Sequence, residues 1–256
     1  KNYKKVLTKW QKALDGKGWN ALYIENHDIP RVTSTWGNDK EYLKECATAF
    51  GLMYFMQQGT PFIYQGQEIG MTNVKFDSIY DYNDVKGINI YKEKVEQGLS
   101  GEEALKYVWA VSRDNSRTPM QWDSSENSGF TTGKPWIKIN KNHKYINVKD
   151  QLKDENSILN FYKKMINIRK ENKTLIYGSY DLILEDHEKI YAYTRIMREE
   201  EFVIIVNLSH DNVKYSYDIN LHSDGLLLSN YNVEKHALLT EFDLRPYEAR
   251  IYKVIK

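Results

Sequence analysis

An α/β fold, opening in parallel βα units and closing in an antiparallel β module, is what this sequence predicts, and three patterns predict it. Residues 3–70 alternate helix, strand, helix, strand. Both strands of that run end in polar residues instead of a tight hairpin turn. Beyond Asn172 the helical spacing stops, and short runs rich in Tyr, Ile and Val succeed it, separated by charged or Asn/Asp turns. Alternating strands and helices read as a parallel sheet, whereas consecutive short strands read as an antiparallel one.

Residues 3–14 fit a short amphipathic helix with Tyr3, Val6, Leu7, Trp10 and Leu14 on one face, ended by Gly16 and Gly18. The run "NALYIEN" reads as a short buried strand, and it delivers Glu25, Asn26, His27 and Asp28. Four polar side chains at a buried strand end would cost several kcal/mol if nothing paired with them. In a (β/α)8 barrel the strand C-terminal ends carry the active site, so this cluster is expected to line one. "EYLKECATAFGLMYFMQQG" is a second helix, with Leu43, Ala47, Phe50 and Tyr54 at helical spacing and Gly59 as its stop. "TPFIYQGQE" is the next apolar run. Residues 71–150, rich in Asp, Asn, Tyr, Ser and Gly with one helical patch near 91–109, form a long insertion of the kind that usually serves function. "SILNFYKKMINIRK" is a helix presenting Ile158, Tyr162, Met165 and either Ile168 or Arg169 on one face. The β module comprises "SYDLILED", "KIYAYTRIM", "EFVIIVNLS", "GLLLSNYN" and "RPYEARIYKVI". A boundary near 174–178 divides the chain into residues 1–173 and 174–256.

With 256 residues and 41% hydrophobic content the chain can bury a substantial core. A formal charge of +1, with basic residues scattered among acidic ones, argues against nucleic-acid or membrane-surface partners. The lone cysteine, Cys46, excludes an intrachain disulfide and reads as a core residue. The first residues lack the apolar region of a signal peptide, and "AFGLMYFM" is too short to span a bilayer; a cytoplasmic protein is expected. The chain starts without Met in what reads as mid-helix, so it is expected to be a piece of something longer. No phosphate-cradling glycine loop, zinc-spaced Cys/His cluster or Ser-His-Asp signature is present, so neither cofactor nor metal is expected. "DYND" at 81–84 lacks the full calcium-loop pattern and reads as solvated loop.

Four stretches, "ENHDIPRV", "GTPFIYQGQEIGMTN", "SRDNSRTPMQW" and "GFTTGKPWI", together resemble the C-terminal half of an α-glucosidase of the α-amylase superfamily, in the oligo-1,6-glucosidase and dextran glucosidase group. The resemblance runs from Trp19 to the last strand. It implies that residues 1–173 supply the last helices and strands of a (β/α)8 TIM barrel, with Tyr23–Asn26 in its seventh strand and Phe62–Gln65 in its eighth. The remainder would be a small antiparallel β-sandwich. The nucleophile and the acid/base would lie upstream of Lys1, in a missing N-terminal half of the barrel that acts as a partner. Retaining hydrolysis needs those two carboxyls about 5–5.5 Å apart.

The resemblance assigns Asp28 as the transition-state-stabilising carboxylate and His27 as a ligand of the same glucose. It makes Arg113 the arginine gripping that glucose's far end, with an Asp partner upstream. Arg31 would line the aglycone side or tie the strand end to its neighbours, and Glu68 would contact substrate or brace a residue that does. Arg117, Asp114 and Gln121 are expected to brace the loop, and Trp122 and Trp136 to pack in loops or stack on sugar. Lys86 stands where many relatives carry an acidic residue, which leaves room for a different, even phosphorylated, aglycone. The implied function is hydrolysis of terminal α-linked glucose, with α-1,6 linkages favoured, and an oligosaccharide as substrate. Alternatives are a trehalose-6-phosphate hydrolase, a sucrose-isomerising transglucosidase and a non-catalytic carbohydrate-binding remnant. On this reading the fragment alone is inactive.

Overall fold

The computed structural model describes residues 2–217, 225–233 and 240–254. They form two compact units. One comprises residues 1–24, 40–62 and 161–256, the other residues 25–39 and 63–160.

The first unit opens with α1 (Asn2–Leu14), which turns part of its polar side inward. The Lys4 ammonium donates to the carbonyls of Leu184, His187 and Ile190 at 2.7, 2.9 and 2.9 Å, and Gln11 pairs with the main chain of Gln58. Val6 and Trp10, expected on the inward face, are half exposed instead. The helix is amphipathic, but three carbonyls that converge on one ammonium outweigh the apolar stripe in setting its rotation.

Strands β1 (Ala21–Leu22) and β2 (Thr60–Pro61) pair in parallel, Ala21 opposite Thr60. Gly59 makes this close approach possible: its φ is +142°, and a Cβ there would lie 2.5 Å from the Asn20 carbonyl oxygen. Between the strands, α3 (Leu43–Phe55) is buried from Cys46 to its last residue, as expected of a helix apolar all round. It ends earlier than its sequence predicts. Arg169 donates to the carbonyls of Phe55, Gln57 and Gly59, and Arg195 to that of Met56, so two buried cations cap its C-terminal end. Arg169 sits on α8 (Ile158–Glu171), whose inward row is Ile158, Tyr162, Met165 and Arg169, which settles the choice between Ile168 and Arg169.

After α9 (Lys173–Tyr177), the β module contains a five-stranded antiparallel sheet. Its members are β3 (Ser179–Ile183), β4 (Ile190–Met197), β5 (Glu200–Asn207), β7 (Leu226–Ser229) and β9 (Ala249–Val254), in the order β3-β4-β5-β9-β7. A second antiparallel pair, β6 (Val213–Ser216) with β8 (Glu241–Leu244), was not foreseen, because four-residue strands with alternating charges resemble turns. Val213, Tyr215 and Leu244 from this pair join Ile190, Ala192, Val203, Ile205 and Tyr252 in one core.

The second unit holds α2 (Val32–Thr35) and the insertion. The expected single helical patch is two helices, α4 (Val85–Glu96) and α5 (Gly101–Val111), split at Gly98 with φ +91°. Ser100 and Glu103 form a reciprocal capping box that starts α5. Val74, Phe76, Tyr82, Leu105, Val108 and Ile137 give the insertion its own core. One helical turn, α6 (Asp114–Arg117), comes next, and later α7 (Val148–Gln151).

Arg169→Met would leave the carbonyls of Phe55, Gln57, Gly59 and Leu175 without that donor, and is expected to destabilise the first unit by about 3 kcal/mol, checked by urea unfolding.

Candidate active site

The polar cluster just beyond β1 divides into a buried brace and an exposed pair. Glu25 and Arg31 form the brace: their side chains are 1% and 0% exposed and 3.1 Å apart. Glu25 Oε1 also accepts from the main-chain N–H of Val32, 2.7 Å away, which satisfies a free donor at the start of α2. Arg31 Nη1 donates to the Gln65 carbonyl at 2.8 Å, its Nε reaches the Asn115 carbonyl at 3.4 Å, and its guanidinium lies over the Tyr64 ring, 5.3 Å from the centroid. Arg31 therefore has no surface to offer a ligand. Of its two expected roles, lining the aglycone side or tying the strand end to its neighbours, this geometry matches the second: it ties three segments of the second unit together.

Glu68 is also a loop residue first. Half-buried, it accepts from the Gly66 N–H at 2.8 Å, and burial holds its carboxyl above the usual range. Gly66 itself has φ +89°, and a Cβ there would stand 2.3 Å from Met71 Sδ, so the "YQGQE" turn requires glycine. Nothing in this geometry assigns Glu68 a ligand.

His27 and Asp28 are the exposed pair, with side chains 67% and 51% accessible. Asn26 Oδ1 accepts from the Asp28 N–H at 2.8 Å, a local Asx turn that presents both side chains outward. His27 Nε2 lies 3.3 Å from Asp28 Oδ2, an ion pair when the imidazole is protonated.

The cations come from "SRDNSR". The single turn α6 puts Arg113 and Arg117 four residues apart on one face. Arg117 Nη2 donates to Asp28 Oδ1 at 2.9 Å and its Nε to the His27 carbonyl at 2.9 Å. Arg113 Nη1 is 3.7 Å from the same Oδ1, and its Nε and Nη2 are each 2.7 Å from Asp84 Oδ1. One expectation changes here: Arg117, taken as a brace, contacts Asp28 directly. Arg113 also has a carboxylate partner within this chain, Asp84. Asp114 and Gln121 do brace: Asp114 Oδ2 accepts from the N–H groups of Asn83 and Asp84, and Gln121 donates to the Ile146 carbonyl. Trp122 and Trp136 are about half exposed or more, at 49% and 62%.

Asp84 and Tyr64 are the residues that sequence reasoning missed. Asp84 is fully buried and caps α4 through the N–H groups of Lys86 and Gly87. Burial pushes its carboxyl up, but hydrogen bonds from the Arg113 main chain and side chain outweigh burial and hold it below the usual range. The expectation that "DYND" is solvated loop is corrected: Tyr82 and Asp84 are buried and Asp84 starts α4, a role that the Asp-x-x-Gly run at 84–87 could have revealed. Tyr64 donates to the Ser116 carbonyl at 2.9 Å. Among the described residues no group of three or more His, Cys, Asp or Glu side chains could hold a metal ion. No described helix is long and apolar enough to cross a membrane.

An accessible carboxylate flanked by an imidazole and two guanidiniums is an assembly for gripping polyhydroxylated ligands, because it offers strong acceptors and donors around one point. Residues 1–178 match the family model described as the α-amylase catalytic domain. The chain belongs to the α-amylase family. It is 50% identical to the oligo-1,6-glucosidase of Parageobacillus thermoglucosidasius, over 98% of this chain and 45% of that protein. A crystal structure of Bacillus licheniformis trehalose-6-phosphate hydrolase superposes with a TM-score of 0.93 at 41% identity, over 99% of this chain and 46% of that one. Isomaltulose synthase from Erwinia rhapontici NX5 gives 0.90 at 38% identity, over 99% and 46%. The chain thus spans slightly less than half the length of each of these α-amylase-family relatives.

Two measurements check the brace and the cap. Arg31→Met strands the Glu25 carboxylate in the interior and is expected to cost about 3–5 kcal/mol in urea unfolding. The depressed Asp84 carboxyl adds stability that is complete above the ordinary value of 3.8 and is lost as the pH falls towards its folded value. Unfolding free energy should therefore drop in acid, and Asp84→Asn should flatten that drop while lowering stability at neutral pH.

Proposed function

We propose that this chain is the C-terminal part of a retaining, exo-acting α-glucosidase that removes terminal α-linked glucose, preferentially α-1,6-linked, from short oligosaccharides. The observation that carries this reading is Asp28: exposed, fixed by its own Asx turn, and held between Arg117, Arg113 and His27. The names of relatives that are 43–50% identical, oligo-1,6-glucosidases and a glucan 1,6-α-glucosidase, support the linkage. In this reading residues 1–173 complete a (β/α)8 barrel, with the parallel β1–β2 pair among its strands, and residues 174–256 form a β-sandwich.

Asp28 acts as an ionised acceptor for hydroxyls of the terminal glucose. As positive charge grows on the ring towards the oxocarbenium-like transition state, these hydrogen bonds strengthen, so binding is differential and contributes to rate. His27 sits beside Asp28 Oδ2 and contributes a second polar contact to the same sugar. Arg117 orients the carboxylate by gripping its Oδ1 edge. The nucleophile and the acid/base belong to the portion of the relatives' length that this chain does not span.

The 256-residue chain by itself is expected to show no hydrolysis of isomaltose above background, whereas the full-length protein carrying it should hydrolyse isomaltose faster than trehalose 6-phosphate. In that protein Asp28→Asn should lower kcat by about 10²-fold or more. Turnover by the chain alone would overturn the placement of the catalytic pair. Faster turnover of trehalose 6-phosphate would instead favour a phosphorylated substrate, for which the exposed Lys86 is a candidate contact.

A further inference from the structure

The long insertion contains an open cavity of about 570 Å³, a size typical of small-molecule sites, and the reading of Asp28 makes no use of it. Its lining is basic. Lys134, Lys138, His143 and Lys144 border it, and Glu126 is the one acidic side chain among its described lining residues. All of them lie in the second unit.

These groups carry more donors than the protein satisfies. Each lysine ammonium has three N–H groups and no acceptor. Lys138 gives one to Asp81 Oδ1 at 2.7 Å, and Lys144 gives one to the Ser124 carbonyl at 2.9 Å. Among the described contacts Lys134 donates to nothing. His143 Nδ1 lies 2.9 Å from the Asn140 carbonyl oxygen, so its proton points there, while Nε2 is buried and meets no partner. A protonated imidazole turns that nitrogen into one more donor.

A phosphoryl group answers this surplus, because its terminal oxygens are strong, negatively charged acceptors and lysine is a recurrent partner for them. A neutral sugar brings a donor with every hydroxyl and suits the lining less well. We propose that the cavity binds a phosphoryl group, carried by a phosphorylated sugar or by inorganic phosphate, with Lys134, Lys144 and His143 Nε2 as its donors. This site is independent of the sugar-binding reading of Asp28. Glu126 opposes an anion there, which makes it a diagnostic position.

The walls are fixed by the protein's own contacts. Asn127, Ser128 and Gly129 run in succession through the left-handed region, at φ +49°, +54° and +66°, a conformation that persists where its surroundings over-determine it. Asn127 Nδ2 donates to the Thr131 and Gly133 carbonyls at 3.3 and 3.1 Å, which sets the approach of the chain to Lys134. The single turn Lys141–Lys144 is held at both ends: Asn140 Oδ1 accepts from the Asn142 N–H, and Asn147 Nδ2 donates to the His143 carbonyl at 3.0 Å. Such preorganisation reduces the entropy lost when a ligand binds.

The test is isothermal titration of the full-length protein carrying this chain with two probes, inorganic phosphate and glucose 6-phosphate. Binding is expected, and the tighter probe identifies the source of the phosphoryl group. Lys134→Met removes an exposed side chain that is unbonded among the described residues, and is expected to weaken the tighter probe about threefold to fivefold. Glu126→Gln removes the opposing charge and is expected to tighten that probe about threefold. Any one of three results overturns the inference: neither probe binds at about 10 mM, Lys134→Met leaves the affinity unchanged, or Glu126→Gln fails to raise it. An anion held elsewhere on the protein, beside Lys86 for instance, would give the second result.

Discussion

The buried Glu25–Arg31 pair is the constraint on which the second unit depends. Two charges removed completely from water are tolerable only when hydrogen bonds take up their remaining donors and acceptors, and here several do. Glu25 takes an N–H of α2, while Arg31 reaches the Gln65 and Asn115 carbonyls and stacks on Tyr64. These partners come from three stretches of chain. Satisfying one guanidinium therefore fixes the "ENHDIPRV", "YQGQE" and "SRDNSR" segments against each other. The opening cluster "ENHD" is explained by this division of labour: Glu25 turns into the interior, and His27 and Asp28 remain outside.

Around that brace the site is assembled by restraint. The one-turn helix α6 turns a six-residue motif into two outward arginines and two inward braces, since positions 113 and 117 share a face while Asp114 and Asn115 turn back to hold Asn83, Asp84 and Val74. Asp28 receives one nitrogen of Arg117 and the approach of one from Arg113, and both arginines answer to other acceptors as well. A carboxylate held in this way is oriented but not fully paired, and half of its surface stays open. The long insertion contributes Arg113 and Arg117 themselves, its own apolar core and the buried Asp84 that pairs with Arg113.

Much of the architecture was legible because it arises from local pattern. The apolar row of α8, the all-round apolar α3 and the strands β3, β4 and β5 are written in spacing and residue type, and the structure places them within a few residues of expectation. The errors share a physical cause. Helix α1 is turned by Lys4 seeking three carbonyls 180 or more residues away, and α3 is cut short by Arg169 and Arg195. Strands β6 and β8 exist because a partner of the right length lies opposite. In each case a long-range polar contact overrode a local preference, and spacing along the chain carries no record of such contacts.

By itself the sequence determined the βα alternation, the antiparallel module and a polar cluster at Glu25–Asp28, because periodicity and turn chemistry are properties of neighbouring residues. Only the tertiary structure decided which of the arginines face outward. On paper Arg31 was open to lining the aglycone side or tying the strand end and Arg117 was a brace, yet the first is fully enclosed by three segments and the second lies on Asp28. The difference comes from which carbonyls and carboxylates each guanidinium meets after folding, a quantity fixed by the packing of distant segments.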